Sequence, residues 1–437
     1  MPDLRVPHGK TAILDTVDGE LKLGYNSRVE ASNGKKVVVT KGVFLEGRAY
    51  VNCDLECDSL ESEAYFSRTK EFYAGSNRAR IELTGRHVGH LEVNGNLTVH
   101  KQLNVSHSVE VKDSIDAGEI DVGGKVQAGS IKCGRIRVGG RADIQNSFEA
   151  SSVEVGGKVS ARGPVRLGDL NVGGEVEVGG GSITGNIRVG GKFISQSALE
   201  FGELLVYGKG SLPAKCKGRK VSTFGKLEVD GDLDCDVIEA GGFIEIRGDC
   251  KTQRVEVGQK LEVSGSLSAL EKVEDYGVIE VGGKFESAHL RVSGKLSADK
   301  IDVSEEADVG GKLETKNGLK AKLVIVRTGS HCDGSLAADR VEIGKSSDLT
   351  YGRWGMTLAA KWASAGAFAK AEDVYAKEVV IGPMSRVGRI FAESVKLEQG
   401  SAAEQITYSR ELKMDFGAAV SQKPIKVDQL QPQGYSS

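Results

Sequence analysis

The sequence predicts an all-β fold, a three-sided parallel β-helix (β-solenoid) with a coil of about 17 residues. Three observations predict it. An aliphatic residue opening a Val-Gly-Gly-Lys-like tetrad recurs at Val122, Val138, Val155, Val172, Val189 and Val206, first at a step of 16 and then at steps of 17. A fixed period of this length marks a stacked repeat. Glycine reaches 58 residues while aromatics are 5%, which suits a narrow interior with tight corners rather than a core built on large aromatic area. Each period also subdivides: the anchors Val172, Val178, Ile183 and Val189 stand at steps of 6, 5 and 6. Three strands of about four residues, each followed by a corner, make one triangular coil.

Within a strand, apolar and exposable residues alternate, as in Asp121-Val122-Gly123 and Asn171-Val172-Gly173. Stacked coils pair as parallel strands, so interior backbone groups find partners above and below. The glycines of the tetrads, Gly123, Gly124, Gly156, Gly157, Gly173, Gly174, Gly190, Gly191, Gly282, Gly283, Gly310 and Gly311, are assigned to corners. There they supply positive φ or make room where a side chain would obstruct. The series resumes at Val229, Ile246, Val263 and Val281, and again at Val292, Val309, Val326 and Ile343. Val206 to Val229 is one period plus 6, and Val281 to Val292 is one period minus 6. A shift of one strand and corner moves the tetrad to a neighbouring face without breaking the solenoid. Glycine this dense excludes helical repeats.

Taken in order, residues 1–20 form an N-terminal segment and 21–345 a long solenoid. Its early coils are worn, as at Lys35–Val39, Gly42–Leu45 and Leu91–Leu97. Residues 346–376 interrupt the rhythm with Trp354, Trp362 and the run Leu358–Ala363, a composition that admits a short helix or alanine-rich strands. The rhythm returns over 377–416, at Val380-Ile381-Gly382-Pro383 and Val395-Lys396-Leu397-Glu398. Residues 417–437 are a polar tail with a strand candidate at Ile425-Lys426-Val427. About 23 coils at the usual strand spacing predict a rod on the order of 110 Å.

Charge narrows the function. With 58 basic and 61 acidic residues interspersed, net −3, there is no basic stripe for nucleic acid. No apolar run is long enough to predict a membrane span, and the start lacks the apolar stretch of a signal peptide. Seven scattered cysteines then read as reduced thiols in a cytoplasm.

Gly185–Lys192, Gly277–Lys284 and Gly344-Lys345-Ser346 each miss the phosphate-loop pattern, and no cofactor is expected. A lysine follows the glycines at Lys125, Lys158, Lys192, Lys209, Lys284, Lys295 and Lys312, but Glu175, Asp232 and Asp249 take the same tetrad position. Mixed signs read as solvated corners rather than a polyanion site. Asp230, Asp232, Asp234 and Asp236 could line one strand face as calcium ligands or as the acid pair of a glycan-cleaving β-helix. The plainer reading is an outward acidic strand with Leu233, Cys235 and Val237 inward. Cys53 and Cys57 lack the paired spacing of a zinc site, and His87 and His90 beside Arg86 have no accompanying motif. No catalytic set and no metal site are expected.

Tetrads such as Ile120-Asp121-Val122-Gly123-Gly124-Lys125-Val126, the near-17 period, sparse aromatics and polar termini resemble the bactofilin family of polymer-forming cytoskeletal proteins, most closely long archaeal-type members. The resemblance runs from about residue 35 to 412 and includes Ile381–Ile390. It implies a right-handed helix and nucleotide-independent assembly by stacking of coil ends. It also implies further copies of the chain, with other cytoskeletal or envelope proteins, as partners. The bacterial family core is much shorter than this chain, and the start does not match the apolar membrane-targeting segment of some members, which leaves membrane attachment without support. Solenoid ends expose strand edges that accept a cap or another chain; Ile390, Phe391, Val395 and Leu397 are the end-stacking candidates, with residues 421–437 as a cap. The expected function is therefore a self-assembling scaffold and not an enzyme. A non-polymerising interaction rod is the alternative, followed by a solenoid enzyme acting on polysaccharide or acyl groups.

Overall fold

The computed structural model describes residues 3–62, 89–345 and 368–430. Among these residues the regular structure is entirely strand, 39 segments paired in parallel. No helix there is long and apolar enough to cross a membrane. The chain divides into two units, Met1–Gly202 and Glu203–Ser437. Each is a β-solenoid, and together they hold about 22 turns. Trp354, Trp362, the run at 358–363, Arg86 and His87 lie outside the described residues.

In the first unit, the strand Ser108–Val122 passes through all three sides of one coil. Its residues 108–111, 114–117 and 119–122 pair in register with 125–128, 130–133 and 135–138 of the next. We call these sides A, B and C. Alternation does the sorting: Val109, Val111, Ile115, Ala117, Ile120 and Val122 are buried, while the residues between them face out. On side C the tetrad valines stack as one column, Val105, Val122, Val138, Val155, Val172 and Val189, each paired with the next. Volume is balanced within a coil, since buried Phe148 shares its level with Ala142 and Ala150, as close packing requires.

Sides keep four residues; corners absorb variation. The corner between sides A and B has two residues in most coils of this unit, as at Lys112-Asp113 and Gln145-Asn146, but a single Gly129 in the coil after Val122. That missing corner residue is the physical cause of the one short step in the tetrad series.

In the second unit the two slips of the tetrad are changes of side. Val229, Ile246, Val263 and Val281 form one side A column with Leu212, Ala298 and Thr315. Side C continues underneath it through Thr223, Ala240, Val257, Asp275, Val292, Val309, Val326, Ile343, Ile381, Leu397 and Met414. Thr223 is fixed in this column by donating its hydroxyl to Val206 O at 3.1 Å. The column takes a longer step from Val257 to Asp275 because a two-residue corner, Leu270-Glu271, stands opposite the single Gln253.

Strand pairing resumes directly after residues 346–367. Lys370–Ala371 pairs with His331 and Cys332, and Val374–Ile381 pairs with the strand Leu336–Lys345. At the other extreme, Leu4–Val6 and Thr11–Leu14 already pair within 1–20, with Leu21–Leu23 and Ser27–Ala31. Inside 417–430, Ala419–Val420 and Ile425–Lys426 pair with the strand Ala402–Met414.

Candidate functional surface

The tetrad glycines occupy the C-to-A corner, except Gly282 and Gly283, which follow Val281 at the A-to-B corner, and the structure decides between the two reasons for them. Positive φ is not the reason at these twelve glycines, none of which has it; it occurs at Gly180, 111°, and in the tetrads of Val229 and Ile343 at Gly231, 132°, and Gly344, 81°. The reason is the coil beneath. A Cβ on Gly173 would sit 2.7 Å from Gly156 O, one on Gly191 would sit 2.6 Å from Gly174 O, and those on Gly139, Gly156 and Gly190 would come closer still to the carbonyl below. The corner backbone is itself hydrogen-bonded from coil to coil, Gly156 N to Val138 O at 2.9 Å and Gly157 N to Gly140 O at 3.0 Å. Gly124, Gly174, Gly282 and Gly311 follow the same rule, Gly123 crowds Ser106 O, and Gly283 crowds the Ser266 side chain. Gly310 has room, its nearest neighbour, Val292 O, lying 3.4 Å away.

The lysines after these glycines are sorted by the change of side. Asp232 and Asp249 belong to the A-to-B corner, beside the Val229 column, so they do not interrupt the lysines of side A. In the second unit, Lys209, Lys226, Phe243, Lys260, Val278, Lys295, Lys312, His331, Lys370 and Arg386 stack as one column. Two residues along, Glu228, Glu245, Glu262 and Glu280 form a parallel acidic column. The columns close on each other: Lys226 Nζ lies 2.5 Å from Glu228 and 3.2 Å from Glu245, and Lys260 Nζ lies 3.0 Å from Glu262 and 2.7 Å from Glu280. Glu228 and then Glu245 raise the pKa of Lys226, while Lys295 and then Lys312 lower that of Glu314. Phe243 adds two cation–π contacts, with Lys226 at 5.1 Å and Lys260 at 5.6 Å. From Lys226 to Lys312 the lysines of this column are paired with acids on the same face, which weakens the field a polyanion would meet there.

The acidic run is dispersed. Asp230 binds Arg247. Asp232 accepts the backbone N–H of Asp249 at 2.8 Å, and Asp249 in turn accepts that of Ser266 at 2.8 Å. These carboxylates fasten corners of successive coils. Leu233 and Cys235 are buried, but Asp236 is a one-residue corner, so Ile238 rather than Val237 turns inward. Among the described residues no group of three or more His, Cys, Asp or Glu could hold a metal.

All seven cysteines are buried. Burial pushes the thiols of Cys57, Cys133, Cys235 and Cys332 up to about 12 and raises those of Cys53 and Cys250. His90 bonds Ser108 through Nδ1, and burial lowers its pKa. Near Gly344-Lys345, a surface cavity of about 750 Å³ is lined in part by Ile343, Lys345, Phe368, Met384 and Glu398. Lys345 Nζ is held there by Glu342 at 2.9 Å.

The end-stacking candidates lie inside the stack. The strand Arg386–Leu397, which carries Ile390, Phe391, Val395 and Leu397, pairs with Val374–Ile381 on one edge and with Ala402–Met414 on the other. Ile390, Val395 and Leu397 are buried, and Phe391 stacks on Tyr375 at 4.9 Å. Beyond them, Ala402–Met414 pairs with later described strands at 402–403 and 407–408. Met414, 43% exposed, lies on side C, where no described strand pairs with it.

The sequence reading passed over Asp275, which sits in the valine column of side C and is fully buried. The signal was present: Asp275-Tyr276-Gly277 stands where a tetrad is due, one period before Val292.

The chain is thus a β-solenoid whose described surface is built of paired charge columns and bare glycine corners. Compared with family models, curated proteins and solved structures, it matches none.

Proposed function

We propose that this chain is a structural scaffold, similar to the bactofilins, that assembles with copies of itself through its coil ends without nucleotide in the cytoplasm, and that it is not an enzyme. One observation carries the reading. Coil after coil repeats the same three four-residue sides in register, so the backbone of any coil is a template for another. Supporting it, the outer edge of residues 411–414 has no partner strand among the described residues, and unpaired parallel edges recruit further strands.

The test is negative-stain microscopy and sedimentation of the purified full chain without nucleotide. Concentration-dependent polymers are expected. Met414→Lys, which places a charge on the open side, is expected to suppress them with an unchanged thermal midpoint. Monodisperse monomers across salt and pH would overturn the reading. A non-polymerising interaction rod is favoured by a different observation: residues 419–426 cover two sides of the last coil and include Lys423, Pro424 and Lys426, the residue types that blunt sheet edges. Under that reading the wild-type chain stays monomeric and captures a partner along its flanks.

A further inference from the structure

Polar side chains that enter the core of the second unit are, in most cases, tied to backbone. Thr252 donates its hydroxyl to Asp236 O and Arg254 O, both at 3.1 Å, and Thr315 donates to Asp299 O at 3.0 Å. Asp275 is different. It occupies a core-directed position between Val257 and Val292 with no exposed surface. Its Oδ1 accepts the Gly277 N–H at 2.9 Å, and its Oδ2 has no protein partner.

The surrounding elements supply no compensating cation. The core-directed neighbours are Val255 and Val257 on the strand Cys250–Val257, Val273 on its own strand, Leu290 and Val292 on Val278–Val292, and Leu261 and Val263 on Lys260–Val263. Cys250, buried on the strand Cys250–Val257, has its thiol raised by burial. Glu256, Glu274 and Arg291 alternate to the outside, where they act on the phenol of Tyr276. Burial dominates at Asp275, opposed only by the Gly277 N–H, and raises its carboxyl to about 8. An isolated buried carboxylate without a partner is strongly disfavoured.

We propose that Asp275 is a proton-controlled weak rung: the coils between Val257 and Val292 close around its neutral acid and open locally when it releases the proton to solvent. The direction follows from linkage. An acid that holds its proton more tightly when folded contributes full stability below its unfolded pKa of about 4. That contribution falls as pH rises toward the folded value and is then exhausted. The device is independent of self-assembly and would loosen one stretch of the scaffold while the valine columns elsewhere stay closed.

Hydrogen exchange with mass spectrometry on the full chain tests this at about pH 5, 7 and 9, after correction for intrinsic exchange. Wild-type peptides spanning 257–292 are expected to open more readily with pH, up to about tenfold per unit below pH 8, while peptides spanning 122–189 stay flat. Asp275→Asn and Asp275→Val, the second restoring an aliphatic rung, are expected to remove the slope. A wild type without a local slope would overturn the proposal. So would a slope that survives in either folded variant.

Discussion

At the scale of the residue, the glycine corner is a steric device, and its positions are not equivalent. Gly173→Ala is expected to cost about 1–3 kcal/mol, because the new methyl must displace the carbonyl of Gly156 and the hydrogen bonds around it. Gly310→Ala, with an ordinary contact distance, is expected to stay within about 0.5 kcal/mol. Thermal unfolding of the two variants separates them, and equal losses would refute the steric account. Val-Gly-Gly could be read from the sequence as a corner, but not which of its two explanations held, because the obstructing atom belongs to a residue of the preceding coil. Asp275 escaped for a related reason: its burial is imposed by the columns above and below, whereas its own neighbours, Glu274 and Tyr276, look like surface.

At the scale of the element, the unit is the coil, and the side length of four residues is its fixed quantity. Three sides per coil and the two changes of side were legible, because a slip by one third of a fixed period has few other meanings. The continuation of side C through Thr223, Ala240 and Asp275 was not, since those residues break the aliphatic pattern while the backbone register holds. Deleting residues 156–172 joins Val155 to Gly173 and removes one whole coil, so the columns re-form. Deleting 156–163 joins mismatched sides. The first variant is expected to keep wild-type circular dichroism and a cooperative transition, and the second to lose both. Equal behaviour would show that register does not hold the fold.

For the whole molecule, stability rests on many equivalent rungs and not on one centre, and the buried thiols report on it. Every cysteine is buried and, where a shift is resolved, held further toward the neutral thiol than usual, which suppresses thiolate reactivity. Ellman's reagent at neutral pH is expected to find almost none of the seven thiols in the native chain and all seven in guanidinium. Rapid native labelling would contradict the packing of both units. The alternation in the sequence turned Cys235 inward, as the structure does, yet the end-stacking candidates Ile390, Phe391, Val395 and Leu397 lie one coil inside the stack. The reason is physical: polar composition made 417–437 look like a tail, while inter-coil hydrogen bonds recruit Ala419–Val420 and Ile425–Lys426 as strands.

The variable corners have a further consequence. Gly129 shortens one coil by a residue and Leu270-Glu271 lengthens another by one, yet each coil still advances by one strand spacing of about 4.8 Å. Residue count and axial travel are therefore uncoupled in this chain. Within each unit, position is graduated in coils, and letters can be gained or lost at the corners without moving the marks.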